Sequence, residues 1–161
     1  MVGNAVSSIG FTWSQETWEG KMADYEPTII AFVCNWCTYT AADLAGTSRL
    51  IQPPNVRMIR MMCTGMVDPK YVVKALLEGA DAVLISGCHP GDCHYINGNL
   101  KARRRIKLLK EILPRFGFDE RRLKMTWIGA SEGIDFAETI REMVAEVKAM
   151  GPNELRQKMV L

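Results

Sequence analysis

The chain has 161 residues, 48% hydrophobic and 24% charged, with 20 basic and 18 acidic side chains and a net charge of +2. This fits one globular domain that can bury roughly 70% of its unfolded surface, and it excludes disordered, collagenous and fibrous chains. The charge excess is too small to point to nucleic acid, and no apolar run approaches the roughly 18–20 residues that span a bilayer.

Residues 1–26 have no clear period and carry Phe11, Trp13 and Trp18. They read as an N-terminal extension whose rings either dock on something else or pack on the chain's own domain. They lack a basic leader followed by an apolar block, so a cytoplasmic protein is expected. From Thr28 the pattern becomes regular. The run TIIAFV is too short for a helix, is rich in β-branched residues, and suits a buried parallel strand ending in Cys34-Asn-Trp-Cys37. A helix is predicted over Thr38–Ile51, stopped by Pro53-Pro54. VRMIRMM, Val56–Met62, is a second strand ending at Cys63. Asp68-Pro69 opens a second helix, with Val72, Val73, Leu76 and Leu77 as its apolar stripe and Gly79 as its stop. AVLIS, Ala82–Ser86, is a third strand running into Gly87-Cys88 and the loop HPGDCHYINGN. A third helix is expected over about Leu100–Leu113, a fourth strand over Lys124–Ile128 and a fourth helix over about Ile134–Met150. Residues 151–161 read as a polar tail. The domain proper is therefore 27–150.

Four strands alternating with four helices give an α/β domain, with a mainly parallel sheet and helices on both faces. A flavodoxin-like strand order, 2-1-3-4, is expected. Three of the four strands end in cysteine: Cys34 and Cys37 after the first, Cys63 after the second, Cys88 and Cys93 after the third. Ligands collect outside the carboxyl ends of the strands in such sheets, so all five thiols converge on one edge. An odd number cannot pair completely, and structural disulfides are not expected in a reducing compartment. Inert buried thiols would account for one or two of them, not for all five at one edge.

Thiolates are soft ligands that favour zinc or iron–sulfur clusters. A C-x2-C pair and a C-x4-C pair occur in sites of both kinds, so spacing does not decide between them. The tight His-Pro-Gly-Asp loop leans toward a [2Fe–2S] cluster, because its N–H groups could point at cluster sulfurs. The rival is redox catalysis: Cys34-Asn-Trp-Cys37, between strand and helix, is placed like the dithiol of a thiol–disulfide oxidoreductase. His89 and His94 are read as loop contacts rather than ligands. Trp36 either shields the site or fills the core. Lys101, Arg103, Arg104, Arg105, Lys107 and Lys110 crowd one helix, and Arg115, Arg121, Arg122 and Lys124 follow. They form a solvated face or a docking patch for an acidic partner; no aromatic interleaving or nucleic-acid motif accompanies them. No phosphate-binding, dinucleotide or nucleophile motif is present.

FVCNWCTYTAADLAGTSR, RMMCTGMVDPKYVVKALLEGADAV and SGCHPGDCHYINGN together resemble the delta subunit of the methyl-viologen-reducing (F420-non-reducing) hydrogenase of methanogens. The resemblance covers about residues 26–150 and takes in all five cysteines. It implies a small non-catalytic [2Fe–2S] electron-transfer subunit. Such a protein links a hydrogenase, or in some organisms a formate dehydrogenase, to the flavin-bearing A polypeptide of heterodisulfide reductase in methanogenesis. The cluster ligands would fall on four of Cys34, Cys37, Cys63, Cys88 and Cys93. With strands one and three adjacent, Cys34, Cys37, Cys88 and Cys93 are the expected set and Cys63 the spare. A zinc-binding module is the remaining alternative.

Overall fold

A computed structural model describes residues 25–155. The elements are β1 (Ile29–Cys34), α1 (Thr38–Thr47), β2 (Val56–Met61), α2 (Pro69–Leu77), β3 (Ala82–Gly87), α3 (Gly98–Ile112), β4 (Leu123–Trp127) and α4 (Gly133–Met150). Short 3-10 turns occupy Thr64–Met66, Leu113–Phe116 and Glu120–Arg122. The four strands form one sheet in the order β2-β1-β3-β4, and every pairing is parallel. This is the order expected from the sequence. The aromatic segment with Phe11, Trp13 and Trp18 lies outside the described residues. No helix among the described residues is long and apolar enough to cross a membrane.

Alternation along β1 divides the core into two layers. Ile29, Ala31 and Val33 face α1 and α4, against Ala41, Ala45, Phe136, Ile140 and Val147. Phe32 faces the other way with Val83 and Ile85, against Val72 and Leu76 of α2 and Ile106 and Leu109 of α3. Small residues on α1 let α4 approach closely: a Cβ on Gly133 would stand 3.0 Å from the Ala45 nitrogen. The two edge strands are β2 and β4, and β2 is the more open, its central residues exposed.

Helix α1 ends at Thr47, four residues before the predicted end. The Arg49 N–H bonds the Gly46 carbonyl and the Leu50 N–H bonds the Ala45 carbonyl, the paired pattern that closes many helices. The left-handed residue this requires is Arg49, at φ 56°. Glycine, the usual signal for such an end, is missing from that position. By contrast α2 begins and ends as read. The Asp68 side chain accepts from the Lys70 N–H at 2.9 Å, Pro69 opens the helix, and Gly79 turns at φ 112°.

Arg122 does not belong to the surface charge run. It is buried and donates to the carbonyls of Asp81, Gly151 and Pro152 at 2.9–3.0 Å. The buried Asp81 carboxylate accepts from the N–H groups of Thr28 and Asn153. The Asn153 amide donates to the Leu76 and Ala80 carbonyls. Residues 151–155 thus return to the domain, and Leu155 packs on the second apolar layer. Removing the guanidinium with Arg122→Met strands three carbonyls, which should cost about 3 kcal/mol. Urea denaturation should show a lower midpoint with an unchanged slope.

Candidate metal centre

Each cysteine is placed by a strand end or a helix start. Cys34 is the last residue of β1, Cys37 the N-cap of α1, and Cys88 follows β3 directly. Cys63 lies two residues past β2, and Cys93 lies in the loop before α3. All five are buried, none more than 9% exposed. Because β1 and β3 are hydrogen-bonded neighbours, their ends bring Cys34 Sγ to 3.6 Å from Cys88 Sγ. The sulfurs of Cys34, Cys37 and Cys88 lie within 4.8 Å of one another. Cys63 and Cys93 form a second group, with their sulfurs 3.9 Å apart. The convergence on one edge is therefore as read, with three sulfurs over β1 and β3 and two between β2 and the start of α3. Cys93, the expected fourth ligand, stands beside Cys63.

Free thiols were expected throughout, but Cys37 and Cys88 are joined as a disulfide, with Cα atoms 5.4 Å apart. A two-thiol redox motif would couple Cys34 to Cys37. Here Cys37 is coupled to a cysteine 51 residues away, with Cys34 in contact. The chain brings three sulfurs to one point, one more than a dithiol motif uses.

The second pair is electrostatically unequal. Burial pushes the Cys63 thiol up, offset in part by the Gly65 N–H at 3.4 Å from its sulfur. Burial acts on Cys93 too. There, the N–H groups of Asn99, Tyr95 and Gly98 and a bond from Cys63 outweigh it and hold the thiol below its ordinary value. Two of these donors belong to the first turn of α3, where unpaired N–H groups and the helix dipole favour an anion. The pair is thus biased, with Cys93 the more readily ionised of the two and Cys63 the less. The donors were expected from His-Pro-Gly-Asp. That turn instead closes on itself through the Asp92 N–H and the His89 carbonyl.

Several residues that fix the edge carry no sequence signal of their own. The buried Asn99 amide donates to the carbonyls of Cys88 and His89 at 2.9 and 2.8 Å, clamping the cysteine loop onto α3. Beneath the sulfurs, the buried Thr38 and Ser86 hydroxyls bond at 3.0 Å, tying the start of α1 to the end of β3. Glu132, after β4, meets His89 at 2.8 Å and the Gly129 N–H at 2.7 Å. The Gly129 N–H and the His89 ring hold the Glu132 carboxyl below the ordinary carboxylate range. Its position after the one strand without a cysteine was the available clue. His94 stacks on Trp36 with ring centroids 4.0 Å apart, and Trp36 is 41% exposed. Trp36 is thus a rim residue and not part of the core.

The donor set suits a soft metal or an iron–sulfur cluster. Three buried sulfurs meet at one point, and a thiolate-favouring cysteine lies at the same edge with backbone donors around it. Comparison with known proteins agrees with this chemistry. Residues 29–151 match the family model described as methyl-viologen-reducing hydrogenase, delta subunit. The iron–sulfur subunit of the F420-non-reducing hydrogenase of Archaeoglobus profundus is 48% identical over 129 residues, 80% of this chain and 94% of that protein. The iron–sulfur subunit of the vhc F420-non-reducing hydrogenase of Methanococcus voltae is 47% identical over 134 residues, covering 83% of this chain and 93% of the relative. The A polypeptide of a ferredoxin/F420H2-dependent CoB-CoM heterodisulfide reductase from Methanosarcina acetivorans is 48% identical over 134 residues. That match takes in 82% of this chain but 17% of the relative, so a segment like this chain is built into a much longer polypeptide. With the match running from the first residue of β1 to the residue after α4, the chain belongs to the delta-subunit family of the methyl-viologen-reducing hydrogenases.

Proposed function

We propose that this chain is a cytoplasmic electron-transfer subunit holding one [2Fe–2S] cluster. In this reading it relays electrons from a hydrogenase, or a formate dehydrogenase, to the flavin-bearing A polypeptide of heterodisulfide reductase. Once the Cys37–Cys88 bond is reduced to two thiols, Cys34, Cys37, Cys88 and Cys93 hold the cluster and Cys63 is a neighbouring thiol. The observation that carries this is the meeting of three buried sulfurs from the ends of two adjacent strands. When bound, the cluster supplies a one-electron carrier. The residues around it exclude water and steady the ligands: Asn99 pins the Cys88 loop, Thr38 and Ser86 fix the strand end, and the start of α3 donates to Cys93. The heterodisulfide reductase relative that contains a similar segment supports a position beside that enzyme.

The chain purified without oxygen should contain two irons and two sulfides per molecule, with zinc absent, and a reduced-state EPR signal of a [2Fe–2S] centre. Stoichiometric zinc without sulfide would replace the relay with a zinc-binding module. A second reading rests on the Cys37–Cys88 bond: a thiol–disulfide oxidoreductase. Insulin reduction by metal-free protein that depends on Cys37 and Cys88 would favour it.

A further inference from the structure

The sulfur edge is rimmed by apolar side chains that the described residues leave uncovered. Trp36 stacks on His94, and Tyr95 meets His94 edge-on at 5.1 Å. Beyond Tyr95, the chain opens a cavity of about 280 Å³ whose walls include Met62, Cys63, Met66, Gly98 and Lys101. Met66 is 58% exposed and Ile96, next to Tyr95, is 86% exposed. Contiguous apolar rims of this kind mark interaction sites. Methionine suits them because its flexible thioether refits to a partner.

A second observation gives the chemistry of what covers the rim. Helix α3 carries Lys101, Arg103, Arg104, Arg105, Lys107 and Lys110 against one acid, Glu111. Arg105 is engaged with the carbonyls of Gly65 and Val67. No carboxylate of the described residues pairs with any of the other five cations. Lys101 belongs to both features, since it lines the cavity and begins the basic row.

We propose that the Met62–Met66–Tyr95 cavity is the docking socket through which this chain meets a redox protein. The partner presents an apolar anchor ringed by carboxylates, with the anchor filling the cavity and the carboxylates facing α3. The inference rests on the relay reading and names the surface by which that relay would make contact. A dry contact beside Cys63 and Cys93 brings the partner's redox centre near the thiolate edge, and unpaired cations steer its approach. Interfaces that exchange electrons are small, so a few central residues should dominate affinity.

Association of the full, iron-loaded chain with the heterodisulfide reductase A polypeptide from the same organism is the test, measured without oxygen by surface kinetics. Met62→Glu combined with Met66→Glu should raise the dissociation rate at least ~30-fold, as expected for a central anchor. Lys101→Glu combined with Arg104→Glu should instead slow association about 10-fold and flatten its dependence on salt. Ile51→Glu, an exposed apolar residue in the α1–β2 loop, should change neither rate. Iron content and the visible spectrum should be the same in all variants. If wild type binds the reductase polypeptide and the rim variants bind equally well, the docking surface is wrong and the relay stands. If wild type does not bind it at all, both fail. If Met66→Glu instead dissolves a homodimer while leaving reductase binding intact, the socket belongs to a second copy and the inference is overturned.

Discussion

Serine at Cys34 or Cys88 will yield a folded protein that purifies without its iron. These two sulfurs end adjacent strands, touch at 3.6 Å and sit almost wholly out of solvent. Losing an outer partner of a metal ligand already costs ~10–100-fold in affinity, and losing the ligand itself should cost at least that. Cys37→Ser should behave in the same way, because its sulfur belongs to the same trio. Cys63→Ser should keep its iron, since Cys63 stands outside the trio of sulfurs and is the proposed spare. Iron and sulfide analysis of the five single variants checks this. Loss of iron in Cys63→Ser with retention in Cys37→Ser would overturn the ligand assignment.

The second large effect comes from a residue with no side chain. Gly65 and Gly98 approach so closely that a Cβ on Gly65 would stand 2.9 Å from the Gly98 Cα and 3.0 Å from its carbonyl oxygen. Both of those atoms are backbone, so no rotamer change relieves the clash. Gly65→Ala must push the turn after β2 away from the start of α3. We expect a loss of about 1–3 kcal/mol, the usual cost of overpacking, and a weaker grip on iron. Gly46→Ala is the control: nothing lies within 4 Å of its added Cβ, and alanine should stabilise that helical position by about 1 kcal/mol. Gly98→Ala asks a further question. Its Cβ would overlap the Cys63 sulfur and stand 3.5 Å from that of Cys93. If Cys63 is the spare thiol, its sulfur rotates away and iron remains.

The centre of the sheet was legible because β1 and β3, buried almost throughout, read as apolar runs. Those two strands and the exposed edge strand β2 all lead into cysteine, so the carboxyl edge could be named from sequence alone. The division of the thiols into three and two was not legible. It depends on which loops cross which strands, and on α3 starting at Gly98 rather than near Leu100. That earlier start puts the N–H groups of Gly98 and Asn99 at Cys93. Arg122 reads as a surface residue because it sits in a run of charge, and only the return of residues 151–153 gives its buried guanidinium the carbonyls it needs. Arg49 shows the limit of reading helix ends from glycine, since an arginine holds the left-handed position there.

Neither apolar layer contains a cysteine: the buried cysteines Cys34, Cys37 and Cys88 pack as a separate cluster of their own. Small zinc domains, by contrast, collapse when their metal is withdrawn. Here the sheet and its helices are complete beneath the cysteine edge. If that edge holds the proposed cluster, biogenesis proceeds in two stages, with the polypeptide reaching its shape first and iron delivered to a finished receptacle. Damage to such a cluster follows the same logic: once a thiol reductant has reopened the Cys37–Cys88 bond, the vessel can be refilled, with no need for the chain to be made again.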